Sequence, residues 1–150
     1  QKLISKRSLT SVRRQVGLVF QDSDNQLFMP TVAEDVGFGL YNMGFSKNEV
    51  EERGGKALKS VGADGLGNMS PHRLSGGQKK RVAIAGVLAM QPDILIMDEP
   101  TSNLDSLNEA VILKSLHEAC ADKTVVLVSH RKSTMGIADT VYSVEHGRMS

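Results

Sequence analysis

The chain has a single cysteine, Cys120, among its 150 residues. No disulfide can form within it, and a reducing compartment fits. It also has almost no net charge, formally +1 at pH 7. That leaves no strong field to attract nucleic acid or an anionic membrane. No apolar run approaches the ~20 residues needed to cross a bilayer. The longest, Val82 to Met90, falls far short, so any membrane association is expected to go through a partner. No secretory signal pattern, internal repeat or low-complexity stretch stands out. A further absence is chemical: the phosphate-cradling pattern G-x-x-x-x-G-K-[ST] occurs nowhere. Gly54-Gly55-Lys56 comes nearest, but Ala57 follows the lysine and no glycine stands at the required earlier position. The length is one domain's worth.

Two segments carry most of the information. Leu74-Ser75-Gly76-Gly77-Gln78 is a Ser-Gly-Gly turn before an apolar helix expected from about Gln78 to Met90. Backbone N–H groups at a helix start are unpaired and lie at the positive dipole end, so they bind phosphate. Glycine lets the backbone approach closely. Ile94-Leu95-Ile96-Met97-Asp98-Glu99-Pro100 is an apolar strand ending in two carboxylates. Its unalternating Ile-Leu-Ile-Met suggests a strand of a parallel sheet, buried on both faces. Acids at the carboxyl end of such a strand face the ligand crevice. Alone, the turn would be an ordinary turn and the acids a solvated pair. Their combination, with Lys79-Lys80-Arg81 behind the turn and Pro100-Thr101-Ser102-Asn103-Leu104-Asp105 after the acids, argues for a nucleotide site.

A third part is Val125-Val126-Leu127-Val128-Ser129 ending in His130, and a fourth is Val16-Gly17-Leu18-Val19-Phe20 ending in Gln21. With these four parts in view, the chain resembles the ATP-binding domain of ABC transporters, over essentially all the residues present. The resemblance implies an ATP-hydrolysing enzyme with ATP and Mg²⁺ as its ligands. It implies that Asp98 and Gln21 serve Mg²⁺, that Gln21 also completes the environment of the attacking water, that Glu99 is the general base, and that His130 contacts the γ-phosphate and orients that base. Ser75, Gly76, Gly77 and Gln78 would cap an ATP held by a second ABC ATPase subunit, in a homo- or heterodimer. Asp105 would lie in the loop that contacts that partner, where Asn103 replaces the family's common small residue. His72, His117 and His146 lack such context and are expected at the surface.

Asp22-Ser23-Asp24-Asn25-Gln26-Leu27-Phe28 and Thr31-Val32-Ala33-Glu34-Asp35-Val36-Gly37-Phe38-Gly39 are most similar to the cobalt/nickel and energy-coupling-factor vitamin importers. Pro71-His72-Arg73 before the Ser-Gly-Gly turn points the same way. Ser129-His130-Arg131-Lys132-Ser133-Thr134 is closer to exporter-type domains. The reading is therefore the ATPase component of an importer, peripheral on the cytoplasmic face of the membrane and partnered by transmembrane permease subunits. The alternatives are an exporter-type ABC ATPase domain or a non-catalytic fragment. An ABC-fold ATPase of DNA repair or translation is disfavoured, because no coiled coil, zinc insert or basic extension is visible, and no nucleic-acid partner is expected.

The expected fold is α/β: a P-loop NTPase-like parallel sheet core with an inserted helical signature subdomain. Residues 1–21 and 76–150 would form the core and 22–75 the helical subdomain. In the family the phosphate loop lies N-terminal to the strand ending at Gln21. The chain is accordingly expected to be a partial ABC ATPase domain lacking the N-terminal strands and the Walker A loop, inactive when isolated.

Local signals set the other elements. A helix is expected over Thr31–Tyr41. Ser46 with Glu49 forms a capping box opening a helix to about Val61, with Gly54-Gly55 as a weak point or break. A loop should follow from Gly62 to Pro71. Ser106 with Glu109 forms another capping box, for a helix to about Cys120. Strands are expected over Thr124–Ser129 and Thr140–Val144. Leu27, Phe28 and Met29 form an apolar cluster, either exposed for the membrane partner or folded onto the core.

Overall fold

The computed structural model describes residues 6–150. Residues 1–5 of the expected core segment 1–21 lie outside the described residues. Along the chain, α1 spans Lys6–Gln15, β1 Val16–Val19, α2 Val32–Asn42, α3 Lys47–Ser60, α4 Gly76–Ala89 and β2 Ile94–Asp98. Then come α5 at Ser106–Ala119, β3 at Thr124–Val128, α6 at Lys132–Met135, β4 at Val144–Glu145 and β5 at Arg148–Met149.

β1, β2 and β3 form a parallel sheet in that order, with Leu18 opposite Ile96 and Ile96 opposite Val126. Parallel pairing follows because each pair of strands is joined by a helical crossover. Gly17, Val19, Leu95 and Met97 point to one face and are buried. That face packs on the core with Val82, Ile84 and Leu88 of α4 and Ile112 and Leu116 of α5.

The other face corrects the expectation of burial on both sides. Leu18, Phe20, Ile94, Val126 and Val128 are all exposed. An apolar strand with no alternation is competent for two-sided burial, but among the described residues helices cover only one side. Asp98 stands on the open face, two residues after Ile96, by the period of a strand.

Three helix starts are fixed by their caps. Thr31 and Glu34 form a reciprocal capping box on α2, Ser46 and Glu49 one on α3, and Ser75 and Gln78 one on α4. The third places Gly76 and Gly77 inside the first turn of α4, two residues before the expected start at Gln78. The fourth differs from expectation. Asp105, not Ser106, caps α5, accepting from the backbone N–H of Asn108 at 2.8 Å. From position 105 the carboxylate satisfies an otherwise orphan N–H of the first turn, and Glu109 is drawn off to Arg131 instead.

Gly54-Gly55 does not break α3, which runs on through both. The α2–α3 crossing is close: a Cβ at Gly37 would stand 2.7 Å from Val50 Cγ1, so only glycine fits without displacing Val50. The expected loop after α3 contains 3-10 turns at Asp64–Leu66 and Pro71–Arg73. α1 has no counterpart among the sequence expectations. The strand expected at Thr140–Val144 is displaced: only Val144–Glu145 pairs, antiparallel with Arg148–Met149. His146 and Gly147 turn this hairpin with φ of 50° and 75°, the left-handed pair that a tight two-residue turn demands.

Candidate functional site

The carboxyl ends of the three parallel strands lie side by side, because the register pairs Val19 with Met97 and Asp98 with Val128. Phe20-Gln21, Asp98-Glu99 and Ser129-His130 therefore emerge at one edge of the sheet. Sequence separation between the last two is bridged directly. His130 Nδ1 lies 2.7 Å from Glu99 Oε1, and Ser129 Oγ donates to Glu99 Oε2 at 3.3 Å. With the carboxylate ionised, the histidine nitrogen is the donor. The Glu99 side chain is largely covered, at 16% exposure, whereas that of His130 is 80% exposed.

Glu99 adopts φ 46°, a left-handed conformation that costs a non-glycine residue about 1–3 kcal/mol. The surroundings hold it there. Its N–H donates to Val128 O at 2.9 Å, extending the ladder one residue past β2, and its carbonyl accepts from Ser102 at 3.1 Å. Pro100 is buried, and Thr101, fully buried, meets the equally buried Thr134 through their hydroxyls at 3.2 Å. The strain turns the Glu99 side chain off the strand direction toward Ser129 and His130. Arg131 and Ser133 both bind Glu109 of α5, which pins the segment after His130.

The Asp98 side chain is exposed and makes no hydrogen bond or ion pair among the described residues. The side chain of Gln21 is likewise exposed and unpaired. The Gln21 backbone is held. Lys80, in the second turn of α4, is only 3% exposed, and its ammonium donates to the carbonyls of Phe20, at 3.2 Å, and Gln21. Burial pushes the Lys80 pKa down, opposed by the charges of Asp22 and Asp98. Gln26 closes the same loop, its amide accepting from Phe20 N at 2.9 Å and donating to Leu18 O at 3.3 Å.

At the start of α4, Gln78 Oε1 accepts from Ser75 N at 2.9 Å and Ser75 Oγ accepts from Gln78 N at 3.2 Å. The Gln78 side chain is thus spent on the cap. The N–H groups of Gly76 and Gly77 remain as the helix's orphan donors. Gly77 also lies against α5: a Cβ there would stand 2.8 Å from Cγ of Asn108. Asn108 in turn binds Asp105 through backbone and side chain, which lowers the Asp105 pKa. The Ser-Gly-Gly turn and the Asp105 turn therefore meet through Asn108. His72, His117 and His146 are exposed, as expected. Of the Leu27-Phe28-Met29 cluster, only Phe28 is exposed, edge-on to Phe38 with centroids 4.9 Å apart.

Sequence reasoning missed Lys80, Gln26, Asn108 and the Thr101–Thr134 pair. Lys80 had a signal, since it stands four residues before Ile84 and seven before Val87, on the apolar side of its helix. The hydroxyl pair had none, because its partners are 33 residues apart.

A family profile described as ABC transporter matches residues 1–102. The chain belongs to the ABC transporter family. It is 49% identical over 146 residues to the energy-coupling factor transporter ATP-binding protein EcfA of Methanocaldococcus jannaschii, covering 96% of this chain and 52% of that relative. It is 47% identical over 145 residues to the EcfA of Methanococcus maripaludis, covering 95% and 52%. The chain thus spans about half the length of the curated relatives it matches. Among solved structures, CbiO1 from Clostridium perfringens, part of the ABC transporter complex CbiONQ, superposes with TM-score 0.87 at 41% identity, covering 97% of this chain and 59% of that one. A dimeric ATP-binding cassette in a post-hydrolysis state with ADP and Pi superposes with TM-score 0.86 at 32% identity, covering 99% and 68%. The ABC ATPase fold expected from the sequence, α/β with a parallel sheet, is the fold observed.

Proposed function

We propose that the complete protein hydrolyses ATP and drives an importer for cobalt/nickel ions or vitamins. The observation that carries this reading is the Glu99–His130 contact at 2.7 Å beside Asp98 at the sheet's carboxyl edge. The names of the EcfA and CbiO1 relatives support an importer. Among the described residues no helix is long and apolar enough to cross a membrane. The reading accordingly pairs the protein with transmembrane permease subunits at the cytoplasmic face, and with a second ATPase subunit.

The positions support a role for each site residue. Glu99 takes the proton of the attacking water, because its carboxylate is fixed by His130 and Ser129 yet stands next to the open face. His130 orients that carboxylate through Nδ1 and keeps its other nitrogen exposed for the γ-phosphate. Hydrolysis of ATP is mostly positioning and charge stabilisation, so fixed donors of this kind are what the reaction needs. Ser75, Gly76, Gly77 and Gln78, with Asp105, act on an ATP held by the partner subunit. The free N–H groups of Gly76 and Gly77 suit a phosphate there.

Mg²⁺ fits this donor set. Asp98 and Gln21 offer unpaired hard oxygens, and Mg²⁺ is commonly held by one or two carboxylates plus substrate phosphates. Among the described residues no group of three or more acidic, histidine or cysteine side chains forms an all-protein cage. The ion would neutralise phosphate charge. In this reading residues 1–21 and 76–150 belong to the catalytic core and 22–75 to a helical subdomain.

The test is Mg·ATP hydrolysis by the complete protein and by Asp98→Asn. Turnover that falls by roughly 10²-fold or more on the substitution supports the reading, as loss of a group acting on developing charge does. Equal turnover in both overturns it.

A further inference from the structure

Lys80 is a charged side chain in the core, and the catalytic roles above do not use it. It faces the core at 3% exposure, on a helix side shared with Ile84 and Val87. Among the described residues it has no carboxylate ion pair; Asp22 and Asp98 act on it only through space. Burying an ammonium without a paired anion is costly, and an apolar chain of the same length would fill the site more cheaply. What the amine supplies instead is direction. It grips the carbonyls of Phe20 and Gln21, at the point where β1 becomes the loop carrying the Gln21 side chain. The neighbouring Lys79 holds the same loop further on, through Asp24 at 2.7 Å.

Two consecutive lysines thus fasten residues 20–24 to the first two turns of α4. The start of that helix is the Ser75–Gln78 cap. The loop is short and internally braced by Gln26, so a shift at one end of the link must be felt at the other.

We propose that Lys80 is a positioning residue that couples Gln21 to the Ser75–Gln78 end of α4. It does not touch substrate. It sets where Gln21 sits relative to Asp98, and it ties that position to whatever engages the helix start. The proposal rests on the reading of Gln21 as a site residue.

Two arms test it in the complete protein, with Lys80→Met, Lys80→Gln and Gln21→Ala. The first arm is amide hydrogen exchange, which does not depend on turnover. Loss of a hydrogen bond from a charged donor should raise exchange over residues 20–26 by roughly 10- to 100-fold in Lys80→Met, and by less in Lys80→Gln, which keeps a donor. Peptides from α2 and α3 should exchange as in the wild type. Unchanged exchange over 20–26 overturns the proposal. So does an equal rise across all helices, which would make Lys80 a plain core residue. Should Lys80→Met fail to fold, Lys80→Gln is read by the same criteria.

The second arm is kinetic. Lys80→Met should lower kcat by roughly tenfold, the scale of a misplaced site group, with KM for ATP changed less than about twofold. In the Gln21→Ala background the same substitution should cost nothing further, because its effect passes through Gln21. Additive losses overturn the proposal. A wild type that hydrolyses no ATP refutes the functional reading of the site, and the exchange arm then still decides the lysine link.

Discussion

Replacing Glu99 by Gln, Ala and Gly separates its chemistry from its geometry. The carboxylate accepts from His130 Nδ1 at 2.7 Å and from Ser129 Oγ at 3.3 Å. The Gln side chain has the same shape and one oxygen, so it keeps the His130 contact. If Glu99 only anchored His130, Glu99→Gln would weaken one charge-assisted bond, about 0.5–1.5 kcal/mol and at most roughly tenfold in rate. If Glu99 is the base, turnover should fall by roughly 10²–10⁴-fold, about 2.7–5.5 kcal/mol of barrier. Steady-state hydrolysis at saturating Mg·ATP in the complete protein reads this directly.

The backbone gives a second, opposite signal. Glu99 sits at φ 46°, where a Cβ costs about 1–2 kcal/mol and glycine pays nothing. Glu99→Gly should therefore resist urea better than Glu99→Ala by about 1 kcal/mol or more, although both are as inactive as Glu99→Gln. A Gln variant within tenfold of wild type refutes the base assignment. An Ala variant as stable as the Gly variant refutes the strain argument.

Three other outcomes are expected. Gly76→Asp should abolish ATP-dependent dimerisation while ATP binding by the monomer persists. Gly76 serves better than Gly77 here, since its Cβ would meet nothing within 4 Å whereas one at Gly77 strikes Asn108, and intact dimers by light scattering would count against the assignment. Thr101→Val strands the buried Thr134 hydroxyl and should cost about 1–3 kcal/mol in urea unfolding, whereas Thr101→Val with Thr134→Val should recover most of that loss; full additivity would show that the pair does not interact. The backbone N–H of Ser46 holds Glu49 below its ordinary value of 4.5, and Asn108 holds Asp105 below 3.8. Each therefore contributes stability that is present above the ordinary value and lost as pH falls through the lowered one. Burial raises Asp35, which runs the other way: its contribution is full below 3.8 and lost as pH rises through the raised value. Acid unfolding followed by circular dichroism should be flatter in Glu49→Gln than in the wild type, and identical curves would remove Glu49 from the account.

What was legible in the sequence was local. A cap and its partner lie three residues apart, so the Ser46–Glu49 start of α3 could be read directly. The apolar runs at Val16, Ile94 and Thr124 gave three strands, because an unalternating run bounded by turn residues has few other uses. The motifs themselves, from Gln21 to His130, named a family that the profile match and the relatives bear out. The same locality explains the errors. Ser106 and Glu109 have the right spacing for a capping box, but Glu109 is taken by Arg131 and Ser133, and nothing within one turn could announce that. The run Ile94–Met97 is apolar on both faces, yet a run cannot say which face the other elements cover. Thr140–Val144 has strand-forming residues, but among the described residues it does not pair with β1–β3.

Tertiary structure alone decided which distant residues meet. The parallel register sets Asp98 beside Val128, and from that follow the Glu99 ladder bond, the left-handed turn and the 2.7 Å approach of His130. The packing of α4 beside the end of β1 turns Lys80 from an odd charge on an apolar face into a link to Gln21. Side-chain type and spacing fix what a segment can do within a turn or two. Contacts across 30 or 60 residues depend on how whole elements stack, because burial of apolar surface is nondirectional and its result is known only once every element has found its neighbours.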